Sequence, residues 1–505
     1  MSNEIAHKAV RNTFFNGLSM AGPLLAGICK SAIIARHLGP SRMGVYSYAI
    51  WIAGALSVVA SLGLPSALTK YVSEYLGRAD PTEAARLAKH LVKLQLKVVF
   101  AIAIVAGIVA FFLVHGPERL VLVLSISMVV PIVVTQVLGS VLAGWQHYQE
   151  LALINVKSSV ATVGLVALAV ILKSGIAGIL LALTAGYSVG VALSYRAVRP
   201  RLREGSAGES PTSPAAFQRA KGFALTEAYI LLLDGIIWQR CEVFFLKILS
   251  TLQEVAFYGI SFGLAGRLQG ISESFTGTLL PLSSEAFGRS AWNDLGKIYS
   301  MSLKYVQMVM VPLCLLGIGV ATPLIGLIYG PDYLPLVPVL RVLLASVTLT
   351  SLAYVGAAVL YATERQGFIA RCQTPIAALN IVLDIILIRS HGAMGAAIAN
   401  SSAQVLEVIF LLGYAGRVVG ARFPWRATAR IYGALALASL PEALAARGGA
   451  GSWTIAGLAV LAFCIYAMIL IAWGEVGGRE LRVLTDAIGH PIRHGVAREM
   501  ASNVQ

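Results

Sequence analysis

The chain has 505 residues, 57% of them hydrophobic and only 12% charged, with a mean hydropathy of +0.77. A soluble domain is near half apolar and about a quarter charged, so a water-soluble enzyme or binding module is excluded, and the length divides better into runs of roughly 20 apolar residues that cross a bilayer. The formal net charge of +15 would suit nucleic acid, but Lys and Arg cluster between apolar runs, the pattern of membrane orientation, and no nucleic-acid partner is expected.

In chain order, the N-terminal MSNEIAHKAVRN leads into a span containing Lys30. It lacks the short apolar core and small-residue cleavage site of a removed signal, so this span is expected in the mature protein. Runs at 14–35, 43–64, 94–114, 120–144, 151–172 and 175–195 read as six helices, an N-terminal lobe over 1–195. Between the second and third, basic residues from Lys70 to Lys97 alternate with Ala, Leu and Val at helical spacing. The part over 82–97 is expected to lie on anionic lipid before entering the membrane. Residues 196–221, rich in Pro, Ser, Gly and charge, read as a linker that cannot bury a core.

Six more runs follow at 222–249, 254–282, 303–329, 335–362, 368–388 and 393–416, a second lobe over 222–416, with Leu295 to Lys304 expected to rest on the leaflet as 82–97 does. Runs at 428–446 and 453–474 add two helices within 417–474, and a basic tail of no readable function fills 475–505. The fold class is therefore an all-α integral membrane protein of about fourteen spans. Alternating the spans puts most of the 39 Lys and Arg on one side, so both termini are expected in the cytoplasm.

Ser73-Glu74-Tyr75-Leu76-Gly77-Arg78 after the second run is echoed by Ser284-Glu285-Ala286-Phe287-Gly288-Arg289 after the eighth, sharing Ser, Glu, Gly and Arg in register. The echo falls where a six-helix repeat puts it, and an even number of helices gives both halves the same orientation.

Enzymatic signatures are missing. The one Gly-Lys pair, Gly296-Lys297, has Ile298 after it and Ala291 where a phosphate loop needs its first Gly. The eight histidines and five cysteines show no metal spacing, and there is no G-x-S-x-G elbow. No metal site, cofactor or catalytic residue is expected. Every outer loop is short, which leaves no room for a catalytic domain such as a membrane sugar polymerase or ligase would carry.

The stretch Ala35-Arg36-His37-Leu38-Gly39-Pro40-Ser41-Arg42-Met43-Gly44-Val45-Tyr46-Ser47-Tyr48 resembles the first loop of bacterial polysaccharide-biosynthesis flippases, the Wzx-like branch of the superfamily that also holds MATE exporters and lipid II flippases. Tyr361-Ala362-Thr363-Glu364-Arg365-Gln366, Asn380 and Gly392-Ala393-Met394-Gly395-Ala396-Ala397-Ile398-Ala399 carry a second likeness. The resemblance implies two six-helix lobes around a central cavity, two further C-terminal helices, and alternating access that turns an undecaprenyl-pyrophosphate-linked oligosaccharide across the bacterial inner membrane. A polysaccharide polymerase is the implied partner. A MATE-like exporter of small cations is the alternative.

An ionisable group inside a span costs roughly 2.5–3.5 kcal/mol at the helix centre, so it faces a cavity or a partner. The candidates are Lys30, Asp234, Arg240, Glu242, Arg267, Glu273, Asp384 and Glu407. Asp234 and Arg267 lie at similar depth in the seventh and eighth helices, and are expected either to pair or to line the cavity. Arg240 has no level partner and is the leading candidate for a pyrophosphate, through its planar fork of donors. Arg267, Lys30 and Arg36 complete the basic set, with an interfacial, snorkelling role as the alternative for the last two. Asn400, Gln404 and Glu407 form one helical stripe, and Asn380 with Asp384 another. These stripes, with Asp234, Glu242 and Glu273, either bind a coupling Na⁺ or H⁺ or bond the helices together.

Overall fold

The computed structural model describes residues 2–78, 80–204 and 213–475, and among them there are sixteen α-helices and no strand. Among the described residues, nine helices are long and apolar enough to cross a membrane by length and composition. The helices are α1 (Ser2–Ser61), α2 (Leu64–Gly77), α3 (Pro81–Leu113), α4 (Pro117–Gly144), α5 (Tyr148–Ile171), α6 (Gly175–Glu204), α7 (Pro214–Ile237), α8 (Glu242–Leu249), α9 (Leu252–Gly288), α10 (Trp292–Ile328), α11 (Val337–Thr350), α12 (Ala353–Ala362), α13 (Gln366–Val419), α14 (Trp425–Ala438), α15 (Leu440–Arg447) and α16 (Ser452–Ala472). The expected fourteen runs map onto them because α1 and α13 are each two helices joined across a kink, at Gly39 and Gly392, while the runs at 222–249, 335–362 and 428–446 are built from shorter pieces.

Both kinks follow from glycine. Gly39 (φ 72°) and Gly392 (φ 54°) take left-handed backbone where a Cβ would strain it. At the second, a carboxylate oxygen of Glu254 accepts the Ala393 N–H at 2.7 Å and caps the returning half of α13. Three predicted single spans are broken: 222–249 between α7 and α8, 335–362 into a 3-10 turn (Pro331–Leu336), α11 and α12, and 428–446 at Ser439, just before Pro441. Apolar content alone cannot distinguish a broken span from a straight one.

Two surface expectations are corrected. Residues 82–97 form the first half of the single 33-residue helix α3, and Ala84, Leu87, Ala88 and Leu91 are fully buried against protein. Gln95 donates to the Ala60 carbonyl at 2.6 Å. The apolar stripe packs on neighbouring helices instead of on lipid. Leu295, Tyr299 and Leu303 in α10 are buried in the same way.

The linker region is helical at both ends, with α6 running to Glu204 and α7 starting at Pro214; residues 205–212 and the tail beyond Glu475 lie outside the described residues. The two copies of the Ser-Glu-x-x-Gly-Arg echo end α2 and α9 alike. Arg78 and Arg289 are the C-caps, each bonded to the Glu one turn back, at 2.5 Å and 3.4 Å.

The first half packs through α1, α4, α5 and α6, the second through α9 to α13, while α14 and α16 sit on α10. One hydrophobic core crosses between the halves and includes Ile34, Tyr46, Val255, Tyr258 and Tyr333. At the end opposite the basic loops, the Tyr333 hydroxyl donates to the Ala35 carbonyl at 2.8 Å and Gly44 lies against the Leu252 carbonyl. At the basic end, the Ser66 hydroxyl donates to Glu227 at 3.2 Å, Lys70 stands 4.2 Å from the Phe223 ring, and Gly63 touches the Ala224 carbonyl. The halves thus touch at both ends in this conformation.

Glu475, just past α16, binds Lys304 of α10 at 2.7 Å and Arg430 of α14 at 2.6 Å, with only 8% of its side chain exposed. Hydrogen bonding from Lys304, reinforced by Arg430, holds its carboxyl below the usual range. A depressed folded pKa stabilises the fold above the unfolded value and loses that effect as pH falls through the folded one. Glu475→Gln should therefore lower the melting temperature near pH 7, and its curve should converge with wild type in the acid range. Parallel curves down to low pH would argue against this clamp.

Candidate functional site

The sequence candidates divide into two groups. The first is built around the break after α7. Ending that helix at Ile237 frees carbonyls that would otherwise be bonded along the helix, and side chains of α13 satisfy them. Asn400 and Gln404 both donate to the Ile237 carbonyl at 3.0 Å, and Asn380 donates to that of Ile236 at 3.2 Å. Glu242, the first residue of α8 and fully buried, accepts from Asn400 at 2.8 Å, Asn380 at 3.2 Å and the Tyr258 hydroxyl at 2.8 Å. Asp384, also fully buried, accepts from the Cys241 thiol at 3.6 Å.

A neighbouring pair completes this group. Gln373 donates to Asp234 at 2.8 Å and to Glu407 at 3.0 Å, and the Trp238 indole donates to Glu407 at 2.8 Å. No Lys or Arg forms an ion pair with any of these four carboxylates among the described residues. Asn380 Oδ1 and Asp384 Oδ1 are buried with no hydrogen-bond partner. Ligand atoms of Cys241, Glu242 and Asp384 lie within 4.8 Å of one another. The expectation of no metal site rested on spacing along the chain, which is blind to a cluster drawn from helices over a hundred residues apart. Glu273, exposed on α9, does not join the group.

The second group is cationic and lies where α1, the α7–α8 break and α9 approach one another. Arg240 sits in the break itself at φ 37°, a backbone that costs a residue with a Cβ roughly 1–2 kcal/mol. Its guanidinium lies 6.0 Å from the Phe262 ring of α9, with Tyr258, Tyr46, Arg267 and Glu242 as its electrostatic neighbours. Arg267 donates to the Gly263 carbonyl at 2.7 Å and packs on Gly27 of α1, where a Cβ would stand 2.9 Å from Nη2. Lys30, one turn beyond Gly27, has its ammonium 6.0 Å from the Tyr187 ring of α6. Three cations from α1, the α7–α8 break and α9 thus share one aromatic-lined region.

Two candidates fall elsewhere. Asp234 and Arg267 do not pair: the former turns to α13 through Gln373 and the latter to α1 through Gly27, so equal depth did not mean a shared face. Arg36 caps the last turn of α10, donating to the carbonyls of Leu327 and Ile328 (2.8 Å to the latter). That ties the turn of α1 to the end of α10 and gives the Arg36 guanidinium a structural role. Arg36→Ala should cost about 1–2 kcal/mol of stability with substrate affinity unchanged, read by thermal unfolding and binding in parallel; a selective loss of affinity would return it to the site.

Sequence reading missed Gln373, Trp238, Tyr258 and Cys241. A signal existed for the first, since Gln373, Asn380 and Asp384 repeat at helical spacing of seven and four. For the others none did, because the break carries no Pro and its only nearby Gly is Gly235.

Comparison with known proteins fits this geometry. The lipid II flippase MurJ in an inward closed conformation shares the fold with TM-score 0.71 at 14% identity, covering 92% of this chain and 99% of that one. An inward-facing multidrug resistance MATE transporter of the MOP superfamily has TM-score 0.64 at 15% identity, covering 80% and 98%. The fold is thus shared with both of these structures. Residues 9–287 match the family described as polysaccharide biosynthesis protein, and the chain belongs to that family. Residues 263–468 also match the lipid II flippase MurJ family. A curated relative, the probable low-salt glycan biosynthesis flippase Agl15 of Haloferax volcanii, is 23% identical over 425 residues, 84% of this chain and 86% of that protein.

Proposed function

We propose that the protein is a flippase for lipid-linked oligosaccharide, turning an undecaprenyl-pyrophosphate-linked glycan across the inner membrane by alternating access for surface polysaccharide synthesis. The observation that carries this reading is the trio Lys30, Arg240 and Arg267, drawn from different helices, with aromatic rings beside Lys30 and Arg240 and no ion pair to a carboxylate for any of the three among the described residues. Unpaired cations in a space between lobes suit a pyrophosphate, and the rings suit sugar faces or prenyl carbons. The basic loops face the cytoplasm in this reading, with both termini. Residues 1–195 and 222–416 act as the two rocking lobes, 417–474 as an appendage, and a polymerase takes the product outside.

A MATE-like exporter of cations is the weaker reading. Its acidic groups would be Asp234, Glu242, Asp384 and Glu407, but these bond within α7, α8, α9 and α13, whereas the interlobe space carries the arginines. Family membership supports a transporter and not an enzyme.

The carboxylate cluster supplies the coupling in this proposal. Glu242 and Asp384 are buried near one another with no ion pair to a Lys or Arg among the described residues, and two such groups do not both carry charge readily unless a proton or a cation lies between them. The unpartnered oxygens of Asn380 and Asp384 would complete an oxygen-rich site for Na⁺, or Asp384 would carry H⁺. Filling or emptying this site acts on the α7–α8 break and so on Arg240, one residue away from Cys241.

The test is reconstitution into liposomes with a fluorescent undecaprenyl-pyrophosphate oligosaccharide, scoring protection from a membrane-impermeant reagent with imposed Na⁺ or pH gradients. Protein-dependent translocation is expected. Export of a cationic dye with no glycan movement would replace the flippase reading with the exporter. Asp384→Asn, nearly isosteric, should abolish the dependence on the gradient while basal flipping persists; unchanged gradient dependence would remove the cluster from coupling.

A further inference from the structure

We propose that the groove where α10, α11, α13 and α14 meet at the basic end binds one anionic phospholipid of the leaflet it faces. The groove holds about 700 Å³ and is walled by apolar side chains including Leu349, Val405, Ile409 and Leu412. Its rim is open to hydrocarbon, with Ile409 61% and Trp425 71% exposed. Through Gly420, Ala421 and Arg422 it adjoins a second, polar hollow of about 350 Å³ beside Lys297 and Ser300. A long apolar channel that ends in a polar, basic recess has the shape and polarity order of a phospholipid.

The head-group end explains the choice of charge. Arg417 and Arg422 flank the recess and meet no carboxylate among the described residues, while Lys297 has only Asp294, at 3.6 Å on an exposed surface. The N-terminal turns of α10 at Trp292 and of α14 at Trp425 border the same place, and helix N-termini favour a phosphate. Inside the groove the Thr428 hydroxyl is buried with no partner, an offered donor at the depth of a glycerol ester. Trp425 stands at the rim as interfacial tryptophans do.

A lipid tail is already in hydrocarbon, so the apolar wall supplies fit and no net driving force. Selectivity must then come from the head group, at about 1 kcal/mol for each Arg near the surface. The phospholipid is favoured over the substrate's own prenyl chain because the groove opens outward behind α13 and shares no residue with Lys30, Arg240 or Arg267. Seated there, a phospholipid would brace α14 against α10 and α13, so that leaflet composition bears on how firmly the last two passes hold to the second half.

The full chain would be titrated in detergent with dioleoyl-phosphatidylglycerol or dioleoyl-phosphatidylcholine and the adducts counted by native mass spectrometry. The wild type is expected to retain one phosphatidylglycerol in preference to phosphatidylcholine. Removing both charges with Arg417→Gln and Arg422→Gln should weaken retention about 25-fold, about five-fold for each Arg. Gly413→Leu tests the groove without harming the fold. A side chain there meets nothing within 4 Å, and leaving glycine favours the helix. It should fill the channel, block the adduct and leave the melting temperature equal or higher. Equal retention of the two lipids, or full retention by Gly413→Leu, would overturn the proposal. Displacement of the adduct by undecaprenyl phosphate would overturn it too, giving the groove to the substrate's tail.

Discussion

Arg240→Ala combined with Arg267→Ala should lower flipping of a pyrophosphate-linked glycan at least about 100-fold, with the protein still folded. Each charge-assisted hydrogen bond to an anion is worth about 1.5–3 kcal/mol, and two together exceed the 2.8 kcal/mol or so that corresponds to a hundredfold in binding. The structure makes the experiment clean. Arg267 donates to a backbone carbonyl of its own helix, and Arg240 lies against a ring with the buried Glu242 among its electrostatic neighbours, a carboxylate that keeps its bonds from Tyr258, Asn380 and Asn400 when the guanidinium is removed. Arg240→Ala also leaves the strained φ in place, and the double variant should therefore be checked for unfolding before its loss is read as chemistry. A folded double variant with full activity would remove the pyrophosphate role from this trio.

Gly44→Val should stop transport by a different route. Gly44 lies on the returning half of α1, where a Cβ would come 1.8 Å from the Leu252 carbonyl oxygen at the start of α9. Backbone cannot yield as a side-chain tip can, so the two halves cannot close at this end as they do here. Alternating access needs both closures, and a variant held open on one side cycles at a small fraction of the wild-type rate. Ala35→Cys on a background without the five native cysteines should be protected from a membrane-impermeant maleimide in the wild type and labelled in Gly44→Val. Gly54→Ala on the same helix meets nothing within 4 Å and should be neutral. Normal flipping by Gly44→Val would mean that this contact is no part of the cycle.

The buried carboxylates show how far reading along the chain can reach. Asn400, Gln404 and Glu407 stand out as one polar face of an apolar helix, and Asn380 with Asp384 as another, because 3.6-residue periodicity is local. Their partner is not local. Glu242 meets them across 138 and 158 residues, and only after α7 has broken and redirected the chain. The same break explains why, of the two alternatives for Asp234 and Arg267, the structure does not show the pairing. Depth in a hairpin can be counted from its turn, but the face a residue presents changes with every interruption of the helix.

What the amino-acid order determined alone is the membrane class, the fourteen runs, the likeness to polysaccharide flippases and the polar residues worth attention. Each depends on quantities summed over neighbours in sequence: apolar run length, charge between runs, helical period and short motifs. Tertiary structure decided which of those residues act together. It sent Arg36 to the end of α10, drew Lys30, Arg240 and Arg267 into one space, and assigned the carboxylates to the α7–α8 break. The physical reason is that burying an ion or freeing a carbonyl must be compensated by whatever lies nearest in space, and in a bundle of long helices the nearest group is seldom near in sequence.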